Sequence, residues 1–491
     1  MAQDHIRAPV IHLDGRTLEG GGQLVRIAIA LSALTSQPIT IDNIRCNRPG
    51  KKGLKGSHLA AIRYLAQVSG SSTAGAEIGS TSLSFYPRAA QTPRNQDHER
   101  GKAIQSHINV VLTTAGSVFL VFQALYPYIL HAGAISSVSE RRITLSIVGG
   151  TNVSFSPSYD YVAQVLVPNF ARVGLPRLSV RLIKRGWGTG PFSLGKVNFV
   201  VDPLALCKDE NRVGSSPQFA PMNIGQYQRG TISQVEITVL APDDPFSKSP
   251  GRHVPGKGRR HRFGGTQSRG HMPRSGQNND DSVDQTGTIR QFVENETIRS
   301  LRKGLKKLPS WIFTTGESSS NAAFCPSRTK SDGNGVPVHI NMTEVTHHYS
   351  HVYILIVAHT STGFRVGHDA LFGVDKGDSH ARQARHRKRG GPEAMVAVRD
   401  LVERCVEGFL EELYDARLQQ DADNGGKRPP CVDRLLRDQL AIFEALGRST
   451  TELREDGTED ERYWSLHMQT ARWVCEEMLS HRTPDLHTLK P

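Results

Sequence analysis

Cysteine is scarce and unpatterned in this 491-residue chain. The six residues Cys46, Cys207, Cys325, Cys405, Cys431 and Cys475 are scattered, with no C-x-x-C pair. That argues against a zinc ribbon or a disulfide framework and fits a reducing compartment. The opening MAQDHIRAPVIHLDG has no apolar signal core. Acidic residues are the minority charge: 47 Asp and Glu against 60 Lys and Arg give a net charge of +13. An excess of that size points to a polyanionic partner, although two basic segments carry much of it. One long uncharged run exists, from Ile108 to Ser139, and INVVLTTAGSVFLVFQALYPYIL is long enough to span a bilayer. Its Thr113, Thr114, Ser117 and Gln123 and its interior Pro127 favour instead a helix buried in a large core. No stable membrane association is expected.

The length suits roughly two to four domains. Residues 1–200 read as compact α/β structure. VIHLDG (10–15), PITIDNIR (38–45), SLSFYP (82–87), RITLSIVGG (142–150) and KVNFVVDP (196–203) are strand-like. Helical spacing follows Leu24, Ile27, Ala28, Leu31 and Leu34, then Leu59, Ile62 and Leu65, then 115–130 and a stretch around 158–173. Strand-then-helix units recur, which suggests a three-part internal repeat. Further on, RGTISQVEITVLAP (229–242) and VYILIVAHT (352–360) predict strands, and 392–415 a helix. Residues 243–285 are rich in Gly, Arg, Ser and Asn with almost no aliphatic side chains, a composition that predicts disorder. A second basic run covers 379–391, and DADNGGKRPP (421–430) reads as a linker. Two final helices follow, one carrying Leu435, Leu436, Leu440 and Phe443, the other running from near Ser465 to about Leu479.

Five constellations could carry chemistry. In EGGGQLVR (19–26), glycines before a helix let backbone N–H groups approach a phosphate, with Gly21 and Gly22 nearest the helix start. It is neither a Walker A loop nor a G-x-G-x-x-G fingerprint, and a plain flexible turn is equally consistent. Glu19 is placed to hold a divalent cation and Arg26 to point back at the same site. The loop from Arg45 to His58, with Arg48, Lys51, Lys52 and Lys55, has the cation density that suits phosphates, although a solvated basic loop is the commoner outcome. Gln123 is an amide within an apolar run, and for such a residue backbone bonding is the ordinary solution. Asp438 and Gln439 put polar groups at an apolar helix stripe, at a pocket rim or at the edge of the core. His467 opens the last helix behind Ser465 as N-cap. The helix dipole there favours a neutral, nucleophilic imidazole. With twenty histidines in the chain, that physics alone sets His467 only slightly apart.

Together these pieces resemble the RNA 3′-terminal phosphate cyclase family. The resemblance runs colinearly through LDGRTLEGGGQLVRIAIALSAL, IRCNRPGKKGLKGSHL, AEIGSTSLSFYP, TAGSVFLVFQALYP, GGTN (149–152), IKRGWG (183–188), RGTISQ, AHTSTG, VDRLLRDQLAIFEALG and SLHMQTA. It implies an α/β (α+β) fold: a large domain of repeated βαβαββ-type units (1–204 and 426–491) with a smaller α/β domain inserted at 205–425. It implies ATP as cofactor and a divalent cation, Mg or Mn. A histidine takes AMP from ATP, passes it to an RNA 3′-phosphate, and the 2′-hydroxyl displaces AMP to close a 2′,3′-cyclic phosphate. By position, the nucleophile falls on His467. Arg26, Arg45, Arg48 and His58 fall on other active-site positions, and Glu19 on the metal contact. Gln123, Pro157, Asp438 and Gln439 fall where the family contacts ATP.

The chain departs from the family pattern at Ser57, where glutamine is usual, at Leu435, where tyrosine is usual, and in PFSLGKV (191–197). These departures keep open an alternative, a weak or inactive relative acting in ribosomal RNA processing with ribosome-assembly partners. A third reading, an enolpyruvyl transferase of related fold, makes little sense of the basic segments. The runs at 252–274 and 379–391 are expected to act as nuclear-import signals or RNA-contacting arms. That suggests a nuclear location, in nucleoplasm or nucleolus, and otherwise the cytoplasm.

Overall fold

The computed structural model describes residues 9–48, 50–88, 104–135, 142–208, 215–245, 287–314, 335–373, 392–415, 418, 429–448 and 459–480. Most of the 243–285 segment, the run at 379–391 and most of the 421–430 linker lie outside them.

The first 200 residues build the same unit twice. In the first, β1 (Ile11–Asp14) and β2 (Ile39–Asp42) are parallel and joined by helix α1 (Gly22–Thr35). Helix α2 (Gly56–Ser69) leads to the antiparallel strands β3 (Ser72–Ala74) and β4 (Leu83–Tyr86), giving the order β1-β2-β4-β3. In the second, β5 (His107–Val111) and β6 (Ile143–Gly149) flank helix α3 (Val118–Ile135). Helix α4 follows as Tyr159–Tyr161, a π-helical turn Val162–Leu166 and Val167–Arg172. Strands β7 (Leu178–Lys184) and β8 (Gly195–Val201) complete the order β5-β6-β8-β7. Of the three-part repeat that the sequence suggested, two βαβαββ units of matching strand order lie in this part of the chain among the described residues.

Period-2 patterning explains the layers. Ile39, Ile41, Leu83 and Phe85 face the helices, as do Leu145, Ile147, Val197 and Phe199, all fully buried. Their neighbours Thr40, Ser84, Asn198 and Lys196 face outward. The uncharged run divides into β5, a turn and α3. By length and composition α3 could cross a membrane, but it is 56% buried, packed on α1, α2, β6 and β8. Pro168 explains the irregular α4: without an N–H it cannot bond the carbonyl of Gln164, which accepts instead from Arg365 Nη1 at 2.8 Å.

After the small hairpin β9 (Leu206–Lys208) and β10 (Ser215–Pro217) comes a third sheet. It contains β11 (Ile232–Pro242), β12 (Val338–Thr346), β13 (Tyr353–Thr360) and β14 (Arg365–Leu371) in the order β12-β11-β13-β14. Helices α5 (Ile289–Leu305) and α6 (Pro392–Leu413) cover one face. Ile354, Ile356 and Ala358 point into that second core, whereas Tyr353, Leu355 and Val357 point into the first. A strand buried on both faces reads as one apolar run, which is why VYILIVAHT was legible. The residue pattern gave no sign of β3, β5, β7, β9, β10, α5, β12 or β14.

Helices α7 (Arg434–Gly447) and α8 (Leu466–Ser480) return to the first core through Leu436, Leu440, Phe443, Met468, Val474 and Met478. Ser465 caps α8, accepting from Met468 N at 2.9 Å. Beneath α7, fully enclosed Arg437 binds Glu444 at 2.6 Å and Glu459 at 2.7 Å. Removing one partner of such a group strands buried charge. Arg437→Ala should therefore lower stability by about 3–5 kcal/mol. Urea unfolding of the variant beside wild type measures this, and a loss below about 1 kcal/mol, the level of an exposed pair, would refute the structural role.

Candidate active site

The start of α1 is set by close approach. Gly20 holds a positive φ of 58°, and Gly21 is the N-cap. A Cβ on Gly22 would lie 2.6 Å from His58 Nε2 and 2.7 Å from Arg26 Nη1, so only glycine admits both side chains. Gly22 thereby brings the N-terminus of α1 against that of α2. The N-terminus of α8 joins them: Thr470 Oγ1 accepts from Glu19 N at 3.3 Å, and His467 Nε2 lies 3.1 Å from Glu19 Oε1. Three helix N-termini thus meet at one place, each with partial positive charge.

Side chains add to that field. Arg26, buried, donates from Nε to Gln123 Oε1 at 2.6 Å and from Nη2 to Gln23 Oε1 at 2.8 Å. Burial lowers its pKa to about 10, which leaves it charged at neutrality. Gln123 Nε2 donates to Gln23 Oε1 at 3.1 Å, and Gln23 Nε2 to the Asp438 carbonyl at 3.2 Å. Gln123 is thus satisfied by side chains, not by the backbone partner expected from composition. Arg45 takes a left-handed conformation, φ 62°, with its N–H on the Gly20 carbonyl at 2.8 Å. Burial, with Arg48 next, lowers its pKa. Arg48 Nε is 2.6 Å from Glu19 Oε1, and its Nη2 is 3.2 Å from His467 Nε2.

Both histidines are held neutral. His58 Nδ1 accepts from Lys55 N at 3.2 Å, so the neutral ring carries its proton on Nε2, facing Gly22. Burial, then Arg26, Arg45 and Lys55, push its pKa well below the ordinary histidine value. His467 keeps 40% of its side chain exposed, enough for a substrate to reach it. Its pKa is lowered first by burial and then by Arg48 and Arg26, with Glu19 opposing. The neutrality expected from the helix dipole is present, but burial leads the causes. Asp438 Oδ1 accepts from Ser465 Oγ at 2.7 Å, which fixes the two helices that carry Asp438 and His467.

The cluster is incomplete by itself. Glu19 Oε1 and Oε2, Arg45 Nε and Arg48 Nε are buried without a hydrogen-bond partner. The 2.6 Å contact of Arg48 with Glu19 is an ion contact lacking hydrogen-bond alignment. Donors left over in a cationic pocket suit phosphate oxygens. No group of three or more His, Cys, Asp or Glu among the described residues is placed to hold a metal. The single carboxylate of Glu19 fits a magnesium held chiefly by substrate phosphates and water.

Of the residues singled out in the sequence, Glu19, Gly21, Gly22, Arg26, Arg45, Arg48, His58, Gln123, Asp438 and His467 come together. Gln439 is buried beside Asp438 on α7, with no hydrogen bond to the network among the described residues. Pro157 is buried in the turn before α4, and none of these hydrogen bonds or ion pairs reaches it. Ser57 opens α2, and Leu435 packs on the first core. Sequence reasoning missed Gln23 and Thr470. The first directly follows the glycine triplet, and the second is one helical turn from His467, which was the available signal. A cavity bounded by Arg229, Trp311, Leu413 and Pro429 shares no residue with this cluster.

The profile of the RNA 3′-terminal phosphate cyclase family matches residues 17–483, and the chain belongs to that family. Curated relatives named RNA 3′-terminal phosphate cyclase are similar over shorter stretches. The protein from Thermococcus onnurineus is 39% identical over 177 residues, covering 36% of this chain and 45% of its own. That from Methanococcoides burtonii is 36% identical over 200 residues, 41% and 53%. That from Methylococcus capsulatus is 36% identical over 192 residues, 39% and 48%. The chain thus spans about half the length of the curated relatives it matches. They come from archaea and a bacterium, cells without a nucleus, and lend the nuclear expectation nothing.

Burial raises the pKa of Asp438 from 3.8 to about 7, with Glu19 adding and Ser465 and Arg437 opposing. A raised carboxyl pKa means that stability is full below the unfolded value and is lost as pH rises through the folded one. Wild type should therefore lose stability between pH 4 and 7 relative to Asp438→Asn, by at most about 4 kcal/mol. Melting curves at both pH values test this, and a gap independent of pH would contradict it.

Proposed function

We propose that this protein is an ATP-dependent RNA 3′-terminal phosphate cyclase with His467 as the nucleophile. The observation that carries the reading is the neutral, accessible His467 imidazole set among Glu19, Arg48 and Arg26 at the meeting of three helix N-termini. The Nε2 lone pair forms a P–N bond to the α-phosphorus of ATP, and pyrophosphate leaves. An oxygen of the RNA 3′-phosphate then attacks that phosphorus, breaks the P–N bond and restores His467. The vicinal 2′-hydroxyl attacks the activated terminal phosphate, AMP departs, and the 2′,3′-cyclic phosphate closes.

The residues divide the work. Arg26, Arg45 and Arg48 hold phosphate oxygens, and the Nε2–H of His58 donates to one of them. Nε2 of His467 cannot both accept from Arg48 and donate to Glu19. Attack needs the tautomer with its proton on Nδ1, which Arg48 favours and the bare carboxylate of Glu19 opposes. A divalent cation on Glu19 would offset that carboxylate and the crowded phosphate charge. Asp438 and Gln439 line the nucleotide side. For the basic runs at 252–274 and 379–391 we propose nonspecific RNA affinity. Deleting both should reduce the slope of log affinity against log salt, and an unchanged slope removes that role.

The test of the first step is incubation with α-labelled ATP and magnesium or manganese. Wild type should acquire an acid-labile, base-stable label and His467→Ala none. Because the imidazole pKa is lowered, labelling should persist when pH falls to the ordinary histidine value of about 6.5. Folded wild-type protein that takes no label would favour the non-catalytic relative.

A further inference from the structure

Among the described residues four aromatic side chains are strongly exposed: Phe155 at 66%, Phe192 at 71%, Tyr349 at 43% and Trp311 at 62%. Trp311 borders the separate cavity near Arg229. The other three sit on three loops linked one to the next, the first of which is bonded to the segment packed on Ser57 beside His58.

The route can be followed bond by bond. Ser57, next to His58, packs against Gly116, whose position would bring a Cβ 3.7 Å from Ser57 Cβ. Gly150 N donates to the Gly116 carbonyl at 2.8 Å, and Val118 N to the Gly150 carbonyl at 3.0 Å. The 150–157 loop carries Phe155 and binds the next loop through Asn152 N to Gly186 O at 2.9 Å and Gly188 N to Asn152 O at 2.9 Å. The 186–194 loop carries Phe192. It meets the third through His351 Nε2, 3.2 Å from the Pro191 carbonyl, and through Trp187 stacked on His351 at 4.5 Å and 2°. That third loop, 347–351, carries Tyr349.

Each loop is fixed, and its exposed ring keeps a free face; Tyr349 touches the His348 ring, with centroids 4.3 Å apart. Neither Phe155 nor Phe192 stacks on another ring among the described residues. Phe155 holds a left-handed φ of 59°, a conformation that a large side chain adopts only at a cost and that clusters at functional positions. Single exposed hydrophobics need no explanation, but three aromatics on one chain of loops do. The charge around them selects the occupant. From Ser179 to Val201 there is no Asp or Glu, and Arg181, Lys184 and Lys196 supply cations, whereas Arg185 is taken up by Asp160 and Glu344. Lys184 and Lys196 are paired across β7 and β8 at the base of the Phe192 loop. Aromatic faces beside cations suit the bases and backbone of an unpaired nucleic acid strand.

We infer that Phe155, Phe192 and Tyr349 form a stacking track for unpaired bases of the RNA strand whose 3′ end lies at His467. This rests on the cyclase reading and gives it a preference for a single-stranded 3′ segment over a bare terminal nucleotide.

Binding of two labelled ligands tests the track: a 3′-phosphorylated dinucleotide and a 3′-phosphorylated single strand of about a dozen nucleotides. Phe192→Ala and Tyr349→Ala should each weaken the long strand about five- to hundredfold. The dinucleotide should bind them as it binds wild type, and the salt slope should not change, because stacking releases no counterions. Tyr349→Phe should restore long-strand affinity. Variants that bind the long strand as wild type does would overturn the track while leaving the cyclase reading intact. Loss of ATP labelling in Phe155→Ala would place that ring in the nucleotide pocket and overturn its part in the track. A wild type that binds no 3′-phosphorylated RNA would sink both.

Discussion

Gly22 is where the first and second helices touch, and the candidate site is built around that contact. With any side chain there, the tips of His58 and Arg26 would have to shift from their present places. With none, the imidazole, the guanidinium and the start of α1 share one small volume. Glu19 then sits under α8, within 3.1 Å of His467. The result is an arrangement the protein cannot satisfy from its own atoms: like charges are brought together, and carboxylate oxygens and guanidinium nitrogens are buried without aligned partners. On the proposed reading a phosphate-bearing ligand would complete it, supplying acceptors to the arginines and negative charge to three helix N-termini.

The rest of the first core holds these helix ends still. Asp438 on α7 and Ser465 at the cap of α8 bind each other, and the Asp438 carbonyl reaches Gln23 on α1. Gln123 on α3 ties in through Arg26. Residues more than three hundred positions apart in sequence are thereby locked into one polar network on an apolar base.

The third sheet is joined to this core by polar links through a buried seam. Arg185 bridges Asp160 and Glu344 at 2.7 Å each. Tyr353 joins Ser158 to Asp369, and Tyr161 binds Asp433, which also accepts from Gly367 N. Burial raises Asp369 to about 6 and Glu412 to about 7. Such carboxyls favour the assembled state most when protonated, so the seam weakens as pH rises through those values. The seam also fixes the 347–351 loop beside the Trp187 hairpin, and so sets the far end of the aromatic track.

Some of this was written in the chain locally. Alternating runs such as PITIDNIR, the double-sided VYILIVAHT, the Gly20–Gly22 turn and the Ser465 cap are short-range signals, and residue type and spacing suffice to read them. Through family resemblance the sequence also marked Glu19, Arg26, His58 and His467. Other strands were not legible for a physical reason. Strand β12 lies at a sheet edge with alternating exposure, and β3 is wholly exposed, so neither carries an apolar run. Only the tertiary structure decided that Gln123 bonds Arg26 and Gln23 rather than backbone, that burial leads the lowering of His467, and that the loops of Phe155, Phe192 and Tyr349 are linked one to the next. Each depends on which distant atoms come within a few ångströms, and that distance is set by packing, not by the local spacing of residues.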